Sequence, residues 1–386
     1  MTNAETLTGI VRQIGEEVAG PNSASVDKDA RFPKESFEAL KKSKVLSAGV
    51  PESLGGAGLN IMELGELCRV LATYCASTAM VLGMHFIKVS SLVHYGKGND
   101  KLEEYLRSVA DEQRLVASVT SEEGIGGNLR NSICAVDITG DMFELTKVST
   151  CLSYGAYADD LLITARKDAD SPASGQAVVL ARSGDFTLEQ TGQWDSMGMR
   201  GTCSPPFVVH VKGPTWLVLG PSFAEIAART MVPDTHTIWA HVWLGIACDA
   251  YSKAKKLVQA KARKSPSELP ETARELALLD IKLRQFTDTV SSTGNEYLQA
   301  HENDDVELLT SIGFSLRINA LKLSASTMSP EICRKAMEIC GFAGYLNNTP
   351  FSVARNLRDS LSAAPMIGNG RIIETNATNL MIHKGR

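Results

Sequence analysis

The feature that most constrains the fold of this 386-residue chain is a hydrophobic period that changes twice along its length. From about residue 33 to 110 apolar residues recur at three- and four-residue spacing, as in Phe37, Leu40 and Leu46 and again in Leu64, Leu67, Val70, Leu71 and Tyr74. That spacing lines one face of a helix. From about 115 to 215 the pattern shortens to runs such as Leu115 to Val119, Leu161 to Ala165 and Ala177 to Leu180, separated by turn residues between Asp168 and Gly175, which reads as strands. From about 222 the helical spacing returns, broken near Pro266 to Pro270 and at Gly341 to Pro350. The order is helical, β, helical.

Several function classes drop out early. A formal charge of -5 with a pI near 5.9 gives no general attraction to nucleic acid or to an anionic membrane. The eight cysteines are scattered without a C-x2-C or C-x4-C pair, and His236 and His241, five apart, do not share a helix face, so no metal site is expected. The N-terminus has no basic segment before an apolar run, and no stretch approaches the roughly 18 apolar residues of a spanning helix; a cytoplasmic protein with reduced thiols is expected. Gly56-Ala57-Gly58 looks like the start of a dinucleotide fingerprint, but it follows a helix end and a loop instead of a strand.

Four stretches carry more specific information. They are the Val50 to Gly58 loop with Cys75-Ala76-Ser77-Thr78-Ala79 leading to His85; Thr120-Ser121-Glu122-Glu123-Gly124-Ile125-Gly126-Gly127-Asn128; Trp194-Asp195-Ser196-Met197-Gly198-Met199-Arg200-Gly201-Thr202-Cys203-Ser204; and Ala336 to Tyr345 followed by Val353 to Asp359. In order and spacing they resemble the acyl-CoA dehydrogenase family over nearly the whole chain. The resemblance implies an α+β, mainly α fold: a helical N-terminal domain (1–114), a middle β-barrel domain (115–221) and a C-terminal four-helix bundle (222–386). It also implies FAD, approached by Ser118, Thr120, Ser121, Gly126 and Gly127 at the entry to the β domain, where glycines let backbone N–H groups come close and a hydroxyl donates to the flavin edge. Asn369 belongs to the same set. Cys151 falls where the family has a flavin-covering Trp, and Ser153 keeps a hydroxyl position near flavin N5. Glu338 and Gly341 match the glycine loop that meets the adenosine half of FAD across a subunit interface, which implies a homodimer or homotetramer. Of the family's interface grip, read here at Arg263, Pro266 and Arg274, only the first Arg survives.

The family's usual base is missing. Removal of an α-proton from an acyl thioester needs a base within reach of that carbon while hydride leaves the β-carbon for the flavin. Counting nine residues on from Arg358, where the family places its Glu, lands on Ile367, with Gly368 on the family's glycine. A gapped alignment with seven added loop residues puts Glu374 there instead. Other members carry the base on the helix that opens the C-terminal domain, which here gives Thr235, flanked by Asp234 and His236. Thr235, Ile367 and Gly368 are therefore expected to line the substrate, and Asp234, His236 and Glu374 are the candidate bases. Three functions remain open: dehydrogenation of an acyl-CoA or other acyl thioester with an electron-transfer flavoprotein as acceptor, an oxygen-using oxidase or monooxygenase supplied by a flavin reductase, and a catalytically silent flavoprotein subunit.

Overall fold

The computed structural model describes residues 2–384. Helices fill the first part: α1 (Asn3–Ile14), α2 (Gly20–Lys28), α3 (Lys34–Lys42), α4 (Ile61–Ala72), α5 (Ala76–Gly96) and α6 (Asp100–Glu112). Two of them start on reciprocal caps, Thr2 with Glu5 and Asn60 with Glu63, which satisfy first-turn N–H groups. In the loop before α4 only a glycine fits at position 56, where a Cβ would lie 2.0 Å from the Val50 carbonyl oxygen.

One sequence expectation needs correction here. α5 is 21 residues long with a mean hydropathy of 1.4 in its most apolar window, enough by length and composition to cross a membrane. The helix contains no unbroken apolar run because Ser77, Thr78, His85 and Lys88 interrupt it. Its window is 89% buried inside the protein, so it serves as a core helix. His85 ties that helix to the loop after α3 and to the first strand of the β region: Nε2 lies 2.7 Å from the Leu46 carbonyl, and Nδ1 accepts from the Val116 N–H at 3.0 Å.

Seven strands follow in two sheets. β1 (Val116–Val119), β4 (Asp160–Arg166) and β5 (Gln176–Ala181) form one, with β1 parallel to β4; β2 (Asp137–Thr139), β3 (Met142–Ser149), β7 (Phe207–Pro214) and β6 (Phe186–Gln190) form an antiparallel second. The sequence pattern explains the difference. The unbroken apolar run in β4 is buried on both faces, whereas β3 and β7 alternate buried with exposed residues and turn one face to solvent.

The C-terminal part holds α7 (Phe223–Ile226), α8 (Val232–Lys264), α9 (Ala273–Glu302), α10 (Val306–Leu309), α11 (Ile312–Cys340), α12 (Phe342–Tyr345), α13 (Ala354–Ser360) and α14 (Asn369–Ile382). α8, α9 and α11 are the long members of the bundle. α8 also packs tightly on α4, because Gly65 lies under His241 and Gly245 under the Arg69 carbonyl. The Trp194 to Ser204 motif is the joint between all three parts: Met199 N–H donates to Asp359 Oδ1 at 2.7 Å, Gly201 N–H to Ser77 Oγ at 3.2 Å, and Arg200 Nε to the Asp27 carbonyl at 2.8 Å.

Candidate active site

Three loops converge beside the bundle. The glycine turn after β1 meets the β3–β4 loop through Ser121, whose hydroxyl donates to the Cys151 carbonyl at 2.7 Å and accepts from the Cys151 N–H at 3.1 Å, with Ser149 Oγ 2.9 Å away. The same turn meets α14 through Arg371, which donates to the Gly126 carbonyl. Gly124, Gly126 and Gly127 have φ of 86°, 58° and 75°, a region that favours glycine. Among the described residues neither the Gly126 nor the Gly127 N–H donates to an acceptor. The turn is anchored by Glu122, buried and held by Ser132 Oγ and the Ile133 and Cys134 N–H groups at 2.6, 3.1 and 2.6 Å.

The two hydroxyls expected at a flavin differ. Ser121 spends its proton on Cys151, whereas Ser153 accepts from Ser204 at 2.8 Å and keeps its own proton free. Cys151 itself is exposed, so the position opposite Ser121 carries no broad side chain. Ser118 on β1 and Thr120 just beyond it are half-buried at the edge of the same turn.

The loop that should have carried the base is held by a lysine. Lys322 of α11, fully buried, donates to the Ile367 carbonyl and to Asn369 Oδ1, both at 2.6 Å, and Asn369 also pairs with Ser326 at 3.0 Å. Burial pulls the Lys322 ammonium down to about 8. Ile367 has φ of 54°, a left-handed conformation that costs a β-branched residue on the order of 1–3 kcal/mol. Lys322 therefore keeps this loop in a conformation that the residue itself disfavours.

Asp234, Thr235 and His236 occupy the first turn and a half of α8, all buried. Successive helix positions point about 100° apart. Asp234 faces α9, where the Tyr297 hydroxyl donates to its Oδ1 at 2.7 Å. Burial raises its carboxyl to about 7 against the pull of Tyr297. Thr235 closes on its own helix, donating to the Met231 carbonyl at 2.5 Å. His236 faces α11 on the other side: Nδ1 lies 3.1 Å from the Ile318 carbonyl, one turn before Lys322. A carbonyl only accepts, so Nδ1 carries the proton, and the buried Nε2 presents a bare lone pair with no partner. Burial lowers this imidazole to about 4.

Other candidates lie apart. Glu374 is exposed on α14. Arg263 ends α8, 27 residues from His236 and so about 40 Å along the axis at 1.5 Å per residue; Arg274 near the start of α9 is exposed like it. Glu338 and Gly341 sit at the exposed end of α11, where Glu338 pairs with Arg334 and with Lys335 at 2.9 Å, so its charge is offset. These four residues do not meet Ser121 or Ile367 within one chain. Sequence reasoning missed Arg371, Lys322, Lys88 and Tyr297. For Lys322 a signal exists: it falls on the buried spacing Ile318, Lys322, Ala325, Ser329 of α11, where an apolar residue is expected. Among the described residues no cluster of His, Cys, Asp or Glu is arranged to hold a metal.

The free N–H pair at Gly126 and Gly127, the free Ser153 proton and the open position at Cys151 form a donor-lined, uncovered edge. Such an edge fits the acceptor-rich ring and phosphate of a flavin nucleotide. Residues 2–113 match the acyl-CoA dehydrogenase N-terminal domain, and residues 236–377 match the acyl-CoA dehydrogenase C-terminal domain. This chain belongs to the acyl-CoA dehydrogenase family.

Relatives within and around the family are distant in sequence. Cyclohex-1-ene-1-carbonyl-CoA dehydrogenase of Geobacter metallireducens is 23% identical over 96% of both chains. Among solved structures, butyryl-CoA dehydrogenase of Megasphaera elsdenii has a TM-score of 0.81 at 20% identity, covering 99% of this chain and 98% of its own. The dibenzothiophene monooxygenase of Paenibacillus sp. A11-2 superposes about as well, with a TM-score of 0.80 at 17% identity over 100% and 98% of the two chains. The acyl-CoA dehydrogenase fold is thus shared by a dehydrogenase and an oxygenase, and the overall shape does not discriminate between them.

Proposed function

We propose that this chain is an FAD-dependent oxidoreductase that dehydrogenates an acyl-CoA or related acyl thioester between its α- and β-carbons, with His236 as the proton acceptor. The observation that carries this reading is the unpartnered, buried Nε2 of His236. The ring lies on the α11 side of α8 and feels the charge of Lys322, which holds the loop where the family's carboxylate is expected.

Bound flavin supplies an acceptor for the β-hydrogen as hydride. The chain's own part is the other half of the reaction. His236 Nε2 takes the α-proton, the electron pair left on the α-carbon forms the new double bond, and the proton stays on the imidazole until solvent removes it. A basicity near 4 is that of an ordinary carboxylate, so the substitution of His for Glu preserves the driving force for proton transfer. The Lys322 contacts fix the Ile367 to Asn369 loop that closes this side. Ser153 offers its free proton to the ring, and Gly126, Gly127 and Arg371 offer donors for a phosphate. The exposed apolar residues Leu278 and Ile281 of α9 and Phe342 and Tyr345 of α12 support assembly of copies. In such an assembly Arg263, Arg274, Glu338 and Gly341 of one copy would serve the adenosine half of another's FAD, and an electron-transfer flavoprotein would take the electrons on.

The test is an anaerobic titration of the purified flavoprotein with acyl-CoA esters. His236→Ala should slow flavin reduction about 100-fold or more, and the wild-type rate should be level from about pH 5 to 8. A rate that instead rises through about pH 7 and loses that rise in Asp234→Asn assigns the role to Asp234 and sinks the His236 assignment.

The exposed Cys151 favours a second reading. With no broad side chain over the flavin edge, oxygen and a bulky substrate gain access, as an oxygenase supplied by a flavin reductase requires. Flavin that no thioester reduces, but that yields an oxygenated product once a reductase is added, would establish this reading.

A further inference from the structure

α5 carries one lysine, and it is in the wrong place for a structural one. Lys88 is 6% exposed on a helix buried on nearly all sides, and its ammonium has no hydrogen-bond partner among the described residues. Across from it Asp234 is 1% exposed, with Oδ1 taken by Tyr297, the Ser90 hydroxyl of α5 nearby, and Oδ2 without a well-aligned hydrogen bond. The two charges feel each other, since Asp234 pulls the Lys88 ammonium up against the burial that lowers it to about 8. Yet they form no ion pair within 4.0 Å. Around them the buried Tyr95 hydroxyl, Arg229 Nε and His301 Nδ1 also lack partners. His301 packs on the Tyr297 ring at 5.6 Å, and the Tyr297 hydroxyl lies 3.3 Å from the Arg229 carbonyl.

Well over nine in ten buried polar groups in proteins are paired, so several unpaired groups in one neighbourhood mark a place built for something else. A buried acid and a buried amine held apart are costlier still once both are ionised, and direct contact between them would recover part of that cost. We infer that Lys88 and Asp234 receive between them a neutral hydrogen-bonding group of the substrate, a hydroxyl or a carboxamide on the acyl portion, so that this site takes a polar acyl thioester in preference to a plain alkyl one.

The chemistry selects the class. A hydroxyl or amide accepts from Lys88 and donates to Asp234 Oδ2 at once. An ammonium would face Lys88, and above about pH 7, where Asp234 is ionised, a carboxylate would face Asp234. Position agrees with this, because Thr235, satisfied within its own helix, stands between Asp234 and His236 on the circumference of α8. A substrate lying along the Thr235 face meets His236 at one edge and the Lys88–Asp234 gap at the other, so the polar group lies away from the reacting carbons. The inference rests on the acyl-thioester reading above, and it is separable from it by measuring binding and reduction independently.

The experiment uses the purified flavin-loaded protein and three length-matched CoA thioesters: hexanoyl, 6-hydroxyhexanoyl and 6-amino-6-oxohexanoyl. Calorimetric titration gives affinity, and anaerobic flavin bleaching gives rate. Wild type should bind a polar ester at least about 10-fold more tightly than hexanoyl, and Lys88→Met should abolish or reverse that ratio, since one good hydrogen bond to a charged group is worth about a factor of ten or more. Asp234→Asn should shrink the ratio in the same direction, and it replaces Lys88→Met should that variant not fold. Equal or tighter binding of hexanoyl by wild type, a ratio unchanged in both variants, or no binding of any ester overturns the inference. A polar preference in binding with no flavin reduction sustains the inference and removes the dehydrogenation reading; reduction without preference does the reverse.

Discussion

Buried titratable groups are handled in opposite ways in the middle domain and at the start of α8. In the middle domain every buried charge is saturated. Asp160 accepts from Tyr105 at 2.8 Å, from Arg114 Nε and Nη2 at 2.7 and 2.6 Å, and from the Ser183 N–H at 3.0 Å. Glu122 has three hydrogen bonds and Lys147 at 3.4 Å, and Lys147 in turn donates to the Thr164 carbonyl at 2.5 Å. Burial alone would raise the Glu122 carboxyl, but the Ser132 hydroxyl, Lys147 and two N–H groups outweigh it and hold the group below its usual range. At α8 and the facing α5 the same kinds of residue are left open: Asp234 with one oxygen lacking a well-aligned bond, His236 with a free nitrogen, and Lys88 without a hydrogen-bond partner among the described residues. The saturated groups tie elements of the fold together, and the groups at α8 keep hydrogen-bonding capacity that the fold does not use.

The contrast breaks most easily at Asp160. Asp160→Ala strands Arg114, Tyr105 and an N–H in a buried site and should cost about 3–5 kcal/mol in urea unfolding; a loss under about 1 kcal/mol would show that saturation is not what makes this network structural. Asp234 should behave differently, through pH. Its folded carboxyl keeps a proton up to about pH 7, whereas the unfolded chain gives it up near the ordinary aspartate value. Between those values the folded state holds more protons, so wild-type stability falls as pH rises from about 4 to about 7. Asp234→Asn lacks that slope. Relative to the variant, wild type should lose roughly 2 kcal/mol between pH 5 and 7, at ~1.4 kcal/mol per unit of pKa shift. Parallel pH curves for the two proteins would mean that Asp234 is not held in its neutral form.

How far the sequence discloses this arrangement depends on whether a residue obeys the local period or violates it. The Leu161 to Ala165 run and the helical spacing of Leu64 to Tyr74 obey it, and β4 and α4 stand where they were read. β3 and β7 alternate cleanly, but Lys147 falls on the inward face beside Phe143 and Leu145, and its partner Glu122 is 25 residues away in the chain. No period reveals such a pair. The Trp194 to Ser204 motif was legible as a mark of the family, although its work of joining Asp27, Ser77 and Asp359 appears only in three dimensions. At the site, the sequence offers an expectation only: Ile367 where the family places its carboxylate, and a short list of candidate bases. Which of them has a free lone pair was not readable, because that depends on the Ile318 carbonyl and Tyr297, both more than 60 residues from the groups they hold.

Glu374 is where the smallest effect is expected. Ile372 is the one residue of α14 that is buried, and Glu374, two positions on, points about 200° round the helix from it, outward. Its side chain makes no ion pair among the described residues, whereas Asp234 and His236 are fixed on opposite sides of α8. Glu374→Ala should therefore change stability by less than about 0.5 kcal/mol and leave the rate of anaerobic flavin reduction within about twofold. A drop approaching 100-fold would mean that α14 turns its second turn inward when substrate binds, with the preceding loop read as seven residues longer than in the family. The carboxylate would then not be lost from this chain at all but displaced along it, and His236, with its free lone pair, would be left without a proton to take.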